Sequence, residues 1–120
     1  MSVRALRGAT QVRANSRDDI LAGTSELISA VLGRNDLSPD ALISVIFTAT
    51  PDLNAEFPAY AARALGFTDV PLLCATEMNV PGALPRVLRL LALAEMDRSR
   101  AEVHHVYLHG AAALRRDLPS

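Results

Sequence analysis

The stretch PRVLRLLALA, Pro85 to Ala94, decides how this chain folds. Leucine and alanine are strong helix formers, so the run reads as a third helix. Pro81, Gly82 and Pro85 confine its start to that region, because a later proline breaks a helix. Leu84, Val87, Leu88 and Leu91 make its core face, and Arg89 lies off that stripe on a face shared with Arg86.

The elements on either side follow from shorter patterns. Val3 to Val12 reads as a strand, with Gly8 a bulge or a place of close backbone approach. Ser16 caps a first helix, with acids in its first turn and Ile20, Leu27, Ile28, Val31 and Leu32 as its stripe. Gly33 ends it. Ala41 to Thr48 (ALISVIFT) is a buried strand rich in β-branched residues. Phe57-Pro58 opens a short helix that runs to about Leu65, and Gly66 closes it. Val70 to Ala75 is a third strand and Val103 to Leu108 a fourth. Gly110 supplies a turn from which Ala111 to Leu114 pairs back as a fifth.

The sum is βαβαβαββ. That is an α/β (α+β) fold with residues 1–120 as a single domain, a mixed five-stranded sheet and helices on one face. The other face of such a sheet is left uncovered, and self-association is the expected cover.

Length and composition agree. A chain of 120 residues can bury one core but not two. Half of it is hydrophobic, which is a globular composition. A net charge of −1 argues against a nucleic-acid binder, which needs a basic surface. No apolar run is long enough to span a bilayer and no targeting segment is visible, so no membrane partner is expected. One cysteine, Cys74, excludes an internal disulfide, and the cytoplasm is the expected compartment.

Most familiar chemistry is missing. There is no GxGxxG, P-loop, HExxH or CxxC, so no cofactor is indicated. His104, His105 and His109 look like a metal cluster, but on a strand 104 and 105 point to opposite faces. His105 and His109 would stand about 13 Å apart. No metal site is expected. What remains is a set of arginines, all twelve cations being Arg, on ordered elements: Arg7, Arg63, Arg89 and Arg115. They are either a solvated face or a site that grips an anion through guanidinium forks.

The ordered words of the chain go further. Arg7-Gly8-Ala9-Thr10, Thr48-Ala49-Thr50-Pro51-Asp52-Leu53, Phe57-Pro58-Ala59, Cys74-x-x-Glu77-Met78, Arg89, and His105-Val106-Tyr107-Leu108 with Leu114-Arg115 occur in this order. The set resembles the trimeric α/β chorismate mutases of the AroH class, and it covers essentially the whole chain. The resemblance implies an isomerase of aromatic amino acid biosynthesis (the shikimate pathway) that turns chorismate into prephenate by a Claisen rearrangement. It implies a homotrimeric pseudo-barrel with a site at each subunit interface, and no cofactor.

Carried over by residue, Arg7 binds the enolpyruvyl carboxylate and Arg89 contacts that region and the ether oxygen. Tyr107 adds a hydrogen bond to the carboxylate, and Glu77 and Cys74 hold the ring hydroxyl. Phe57, Ala59, Leu73 and Leu114 line the pocket, with Arg63 and Arg115 at its mouth. Tyr60 stands where relatives often carry Lys, and Arg116 where a Pro commonly follows the Leu-Arg pair.

With Arg89 on a helix, it would rise about 12 Å along the axis from Glu77's end. Glu77 of one subunit would then face Arg89 of its neighbour. Two alternatives stay open: a non-catalytic trimeric regulator that binds a small carboxylate, and an imine or enamine hydrolase of the Rid type.

Overall fold

In the computed structural model, which describes residues 1–115, the leucine-rich run expected as a third helix is a strand. It forms β4 (Val87–Met96), which pairs antiparallel along its whole length with β1 (Ser2–Gln11). Its other edge pairs antiparallel with β2 (Leu42–Ala49). The expected core face of Leu84, Val87, Leu88 and Leu91 is therefore wrong. Burial alternates instead: Leu88, Leu90, Ala92, Ala94 and Met96 are buried, while Leu91, Leu93 and Glu95 are exposed. That is the period of two of a strand. Helix propensity is worth only a few tenths of a kcal/mol per residue here. A central strand with both edges hydrogen-bonded and one face in the core outweighs it.

The sheet is completed by β3 (Leu72–Thr76), parallel to β2, and β5 (Val106–Leu108), parallel to β1. Its order is β3-β2-β4-β1-β5, so it is mixed and five-stranded as expected. The chain order differs from expectation, with β4 where the third helix was placed. The expected fifth strand, Ala111–Leu114, is also absent. His109–Arg115 is a 3-10 helix, and the fifth strand is the shortened β5. Gly110 makes no hairpin but lies within this 3-10 helix, packed so close to the Gln11 side chain that a Cβ would clash.

Both α-helices cover one face. α1 (Arg17–Arg34) lies on β1 and β4, and α2 (Ala59–Ala64) beside it. Leu6, Leu27, Ile28, Val31, Phe47, Ala62, Phe67, Leu90 and Val106 share one core. Each of these side chains except the Ala62 methyl contributes about 1.5–3 kcal/mol by burial. Gly8 allows the approach anticipated from sequence: a Cβ there would stand 3.0 Å from Val31 Cγ2 and 3.1 Å from Leu27 Cδ1. Ser16 caps α1 as expected, its Oγ accepting from the Asp19 N–H at 3.1 Å, a bond worth about 1 kcal/mol.

Gly33 does not end α1. The helix runs through Arg34 to a cap at Asn35, and the positive φ falls on Asp36. Buried Asn35 explains this. Its Nδ2 donates to Val31 O at 2.8 Å and His104 O at 2.9 Å, and its Oδ1 accepts from His104 N at 2.9 Å. The helix end is thereby tied to the segment that leads into β5.

The opposite face carries no α-helix among the described residues; only the 3-10 helix His109–Arg115 packs on it, at Ala9, Val87 and Tyr107. Ile46, Leu73, Leu91 and Leu93 lie on it and are all exposed. A contiguous apolar surface of this kind marks a place of association. Among the described residues no helix is long and apolar enough to cross a membrane.

Candidate functional site

Strand register builds the site on the uncovered face. Thr48 of β2 stands opposite Arg89 of β4, Arg89 opposite Ala9 of β1, and Ala9 opposite Tyr107 of β5. One row thus crosses four strands. A second row, one pleat along, runs Leu73, Ile46, Leu91, Arg7. Ala9 is fully buried and has only a methyl side chain, so a gap opens between Arg89 and Tyr107. A cavity of about 270 Å³ results, lined by Arg7, Ala9, Ile46, Thr48, Arg89 and Tyr107 together with Glu77.

Glu77 follows β3, and its N–H extends the pairing by donating to Ala49 O at 2.9 Å. The Thr48 hydroxyl donates to Glu77 Oε2. The same oxygen lies 3.9 Å from Arg89 Nε, an ion pair too long to be a hydrogen bond. Arg89 Nε is itself buried and has no hydrogen-bond partner. A buried N–H without an acceptor costs about 1–3 kcal/mol. Here it faces a cavity that a ligand acceptor can enter.

One chain therefore brings Arg7, Glu77, Arg89 and Tyr107 together. Leu114 packs against the cluster of Ala9, Val87, Tyr107 and Ala111. Arg115 acts electrostatically on His105, as does Arg7. The expectation that Glu77 meets Arg89 only across a subunit boundary is overturned for this pair. It rested on a helix leading away from Glu77, whereas the register of β4 on β2 sets Arg89 opposite Thr48, whose hydroxyl reaches Glu77.

The other expected site residues lie apart. Cys74 pairs with Phe47 on the helix-covered face, half-buried against the core. With Phe57 it lines a separate cavity of about 360 Å³. Ala59 is buried in α2. Arg63 borders a third cavity, and its guanidinium lies 5.3 Å from the centroid of the Tyr60 ring. Tyr60, the departure from the family pattern, thus holds a cation in place. Leu73 is exposed on edge strand β3. Arg116 lies outside the described residues.

Thr48, Ile46 and Leu91 were not singled out as site residues. The signal for Thr48 was available: in a strand read correctly, it is a polar residue sharing a face with Ile46. The three histidines do not converge. His105 accepts from Arg7 N, and His109 Nε2 lies 2.8 Å from Glu26 Oε1. Among the described residues no group of three or more His, Cys, Asp or Glu is placed to hold a metal ion. A larger open groove of about 590 Å³ lies between α1 and the end of β1. Its Arg13, Arg86, Asp19 and Glu26 mix both signs of charge, so it presents no single ligand chemistry.

Comparison with known proteins agrees with this geometry. The family model for chorismate mutase type I matches residues 3–118. The chain is 48% identical over 119 residues to chorismate mutase AroH of Thermus thermophilus, covering 98% of each. It is 37% identical over 119 residues to chorismate mutase AroH of Bacillus subtilis (strain 168), covering 98% of this chain and 94% of the relative. The solved structure of a chorismate mutase from Clostridium thermocellum superposes with a TM-score of 0.91 at 43% identity. It covers 92% of this chain and 98% of that one.

Proposed function

The chain belongs to the chorismate mutase type I family and catalyses the conversion of chorismate to prephenate; on that premise we propose how its residues do so, at a site shared between the subunits of a homotrimer. The regulator and Rid-type readings lapse with membership of this family. The carrying observation is the buried, unpartnered Arg89 Nε facing a cavity beside Glu77.

The rearrangement is intramolecular, so no nucleophile or cofactor is required of the protein. Its C–O bond breaks ahead of C–C bond formation, and the ether oxygen gains negative charge. Arg89 donates to that oxygen. The bond strengthens as charge develops, which lowers the barrier and not merely the energy of the bound substrate. Arg7 and Tyr107 hold the enolpyruvyl carboxylate, which fixes the substrate in its compact reactive pose. The Glu77 carboxylate accepts from the ring hydroxyl and disfavours a misplaced substrate carboxylate.

Phe57, Ala59, Arg63 and Cys74 gather around β3 and α2, away from the first cluster, and Leu73 is exposed on the edge strand β3. In this reading they complete the neighbouring subunit's cavity, where Leu114 and Arg115 lie beside its Tyr107. The exposed Ile46, Leu73, Leu91 and Leu93 support the association that this requires. We take the enzyme to act in the cytoplasm, where the Cys74 thiol stays reduced.

The test is the loss of chorismate absorbance with purified, chelator-treated protein. The kcat should be flat with pH around neutrality, since no step moves a proton. A bell-shaped kcat profile would replace this mechanism with general acid–base work. Cys74→Ser is expected to keep most activity, because a hydroxyl can make the same hydrogen bond. Mass spectrometry should find no adduct on Cys74 during turnover, and a substrate-derived adduct there would make it a nucleophile.

A further inference from the structure

The Arg7 backbone N–H donates to His105 Nδ1 at 3.0 Å. The parallel pairing of β1 with β5 begins one residue later, at Gly8 and Val106. A side-chain nitrogen thus takes the place of a strand carbonyl at the start of the ladder. An imidazole nitrogen that accepts carries no proton, so the ring is neutral with its hydrogen on Nε2.

The charged groups that face His105 are Arg7 from β1 and Arg115 from the 3-10 helix, both cations. Burial first, then Arg7 and Arg115, hold its pKa below the ordinary histidine value. The surroundings thus favour the protonation state that the bond needs.

We propose that His105 is a positioning residue for substrate binding: its neutral Nδ1 pins β1 at Arg7, so that the Arg7 guanidinium is presented to the cavity beside Leu91 and Tyr107. This rests on the reading of Arg7 as the carboxylate-binding residue. Protonation turns the acceptor into a donor, sets two N–H groups against each other and frees the backbone at Arg7. The loss falls on substrate affinity, because the carboxylate is held in ground and transition states alike.

Steady-state kinetics in steps from about pH 7.5 down to about pH 4, a range that extends well below an ordinary histidine's titration, test this. The variants are His105→Ala, His105→Asn and, as a marker for the site, Arg7→Ala. At the higher pH His105→Ala should raise KM about fivefold, the worth of one neutral hydrogen bond, with kcat within about twofold. His105→Asn should rescue KM, because its Oδ1 branches from Cγ as Nδ1 does and remains an acceptor.

On acidification the wild-type KM should rise toward that of His105→Ala, while that of His105→Asn should not. Three results overturn the proposal: a wild-type KM in His105→Ala, no rescue by His105→Asn, or identical pH dependence of KM in wild type and His105→Asn. A wild-type KM that falls in acid would make His105 a third cation for the substrate, and also overturns it. An impaired Arg7→Ala beside a normal His105→Ala leaves the site reading standing, whereas a fully active Arg7→Ala removes both. If His105→Ala does not fold, the comparison of wild type with His105→Asn across pH still decides.

Discussion

Arg89→Ala lowers kcat at least about a hundredfold and leaves the melting temperature near that of the wild type. The size follows from removing one preorganised donor from a charge-developing oxygen, about 3–4 kcal/mol in comparable sites. The intact fold follows from position. The Arg89 side chain is 43% exposed on the uncovered face and contributes nothing to the helix-side core. Its loss also removes a buried N–H that the free chain leaves unpaired. Arg89→Lys is expected to be nearly as poor, since a point charge on a flexible stem has no donor at the Nε position. Chorismate absorbance kinetics and thermal melting of both variants check this. A fully active Arg89→Ala would sink the mechanism.

Mixed trimers give the second large effect. Phe57→Asp places a carboxylate in the pocket wall and should abolish binding of a dianion. Arg89→Ala is inactive for the reason above. Unfolded, mixed in equal amounts and refolded, the two should recover about a quarter of wild-type activity. In a cyclic assembly with random composition, about one interface in four joins an intact Arg89 to an intact Phe57. Glu77→Ala mixed with Arg89→Ala should recover nothing, because one chain supplies both residues to a single cavity. Recovery in that second mixture, or none in the first despite mixed assembly, would rule out this division of the site.

What could be read from sequence was whatever local chemistry controls. β1, β2, the Ser16 cap and the short α2 were legible because their patterns lie within a few residues. β4 was not. Leu and Ala favour helix, and only pairing with β1 on one side and β2 on the other makes the run a strand. The 3-10 helix at His109–Arg115 escaped for a related reason, since it packs on β1 and β5 through Ala111 rather than pairing as a strand. Asn35 displaced Gly33 as the end of α1 through bonds to His104, far along the chain.

Arg7 and Arg89 stood out as arginines on ordered elements, but their roles, and the choice of Glu77 and Tyr107, came through a family likeness and not through spacing. They converge by register across a sheet, which no short motif encodes. Thr48 reaches Glu77 by the same register and carried only a faint mark of its own, while Cys74 sits on the covered face of its strand.

The bare face of the sheet also sets a law for the working enzyme. In the proposed shared site, a pocket finished by a neighbour exists only in proportion to the assembled fraction, so specific activity is expected to fall when the protein is diluted below the dissociation constant of its subunits. The coupling runs both ways. Chorismate bound between chains must tighten their association by the same free energy with which association tightens chorismate. Substrate then acts as an adhesive for its own catalyst, and scarcity of substrate loosens the particle that consumes it.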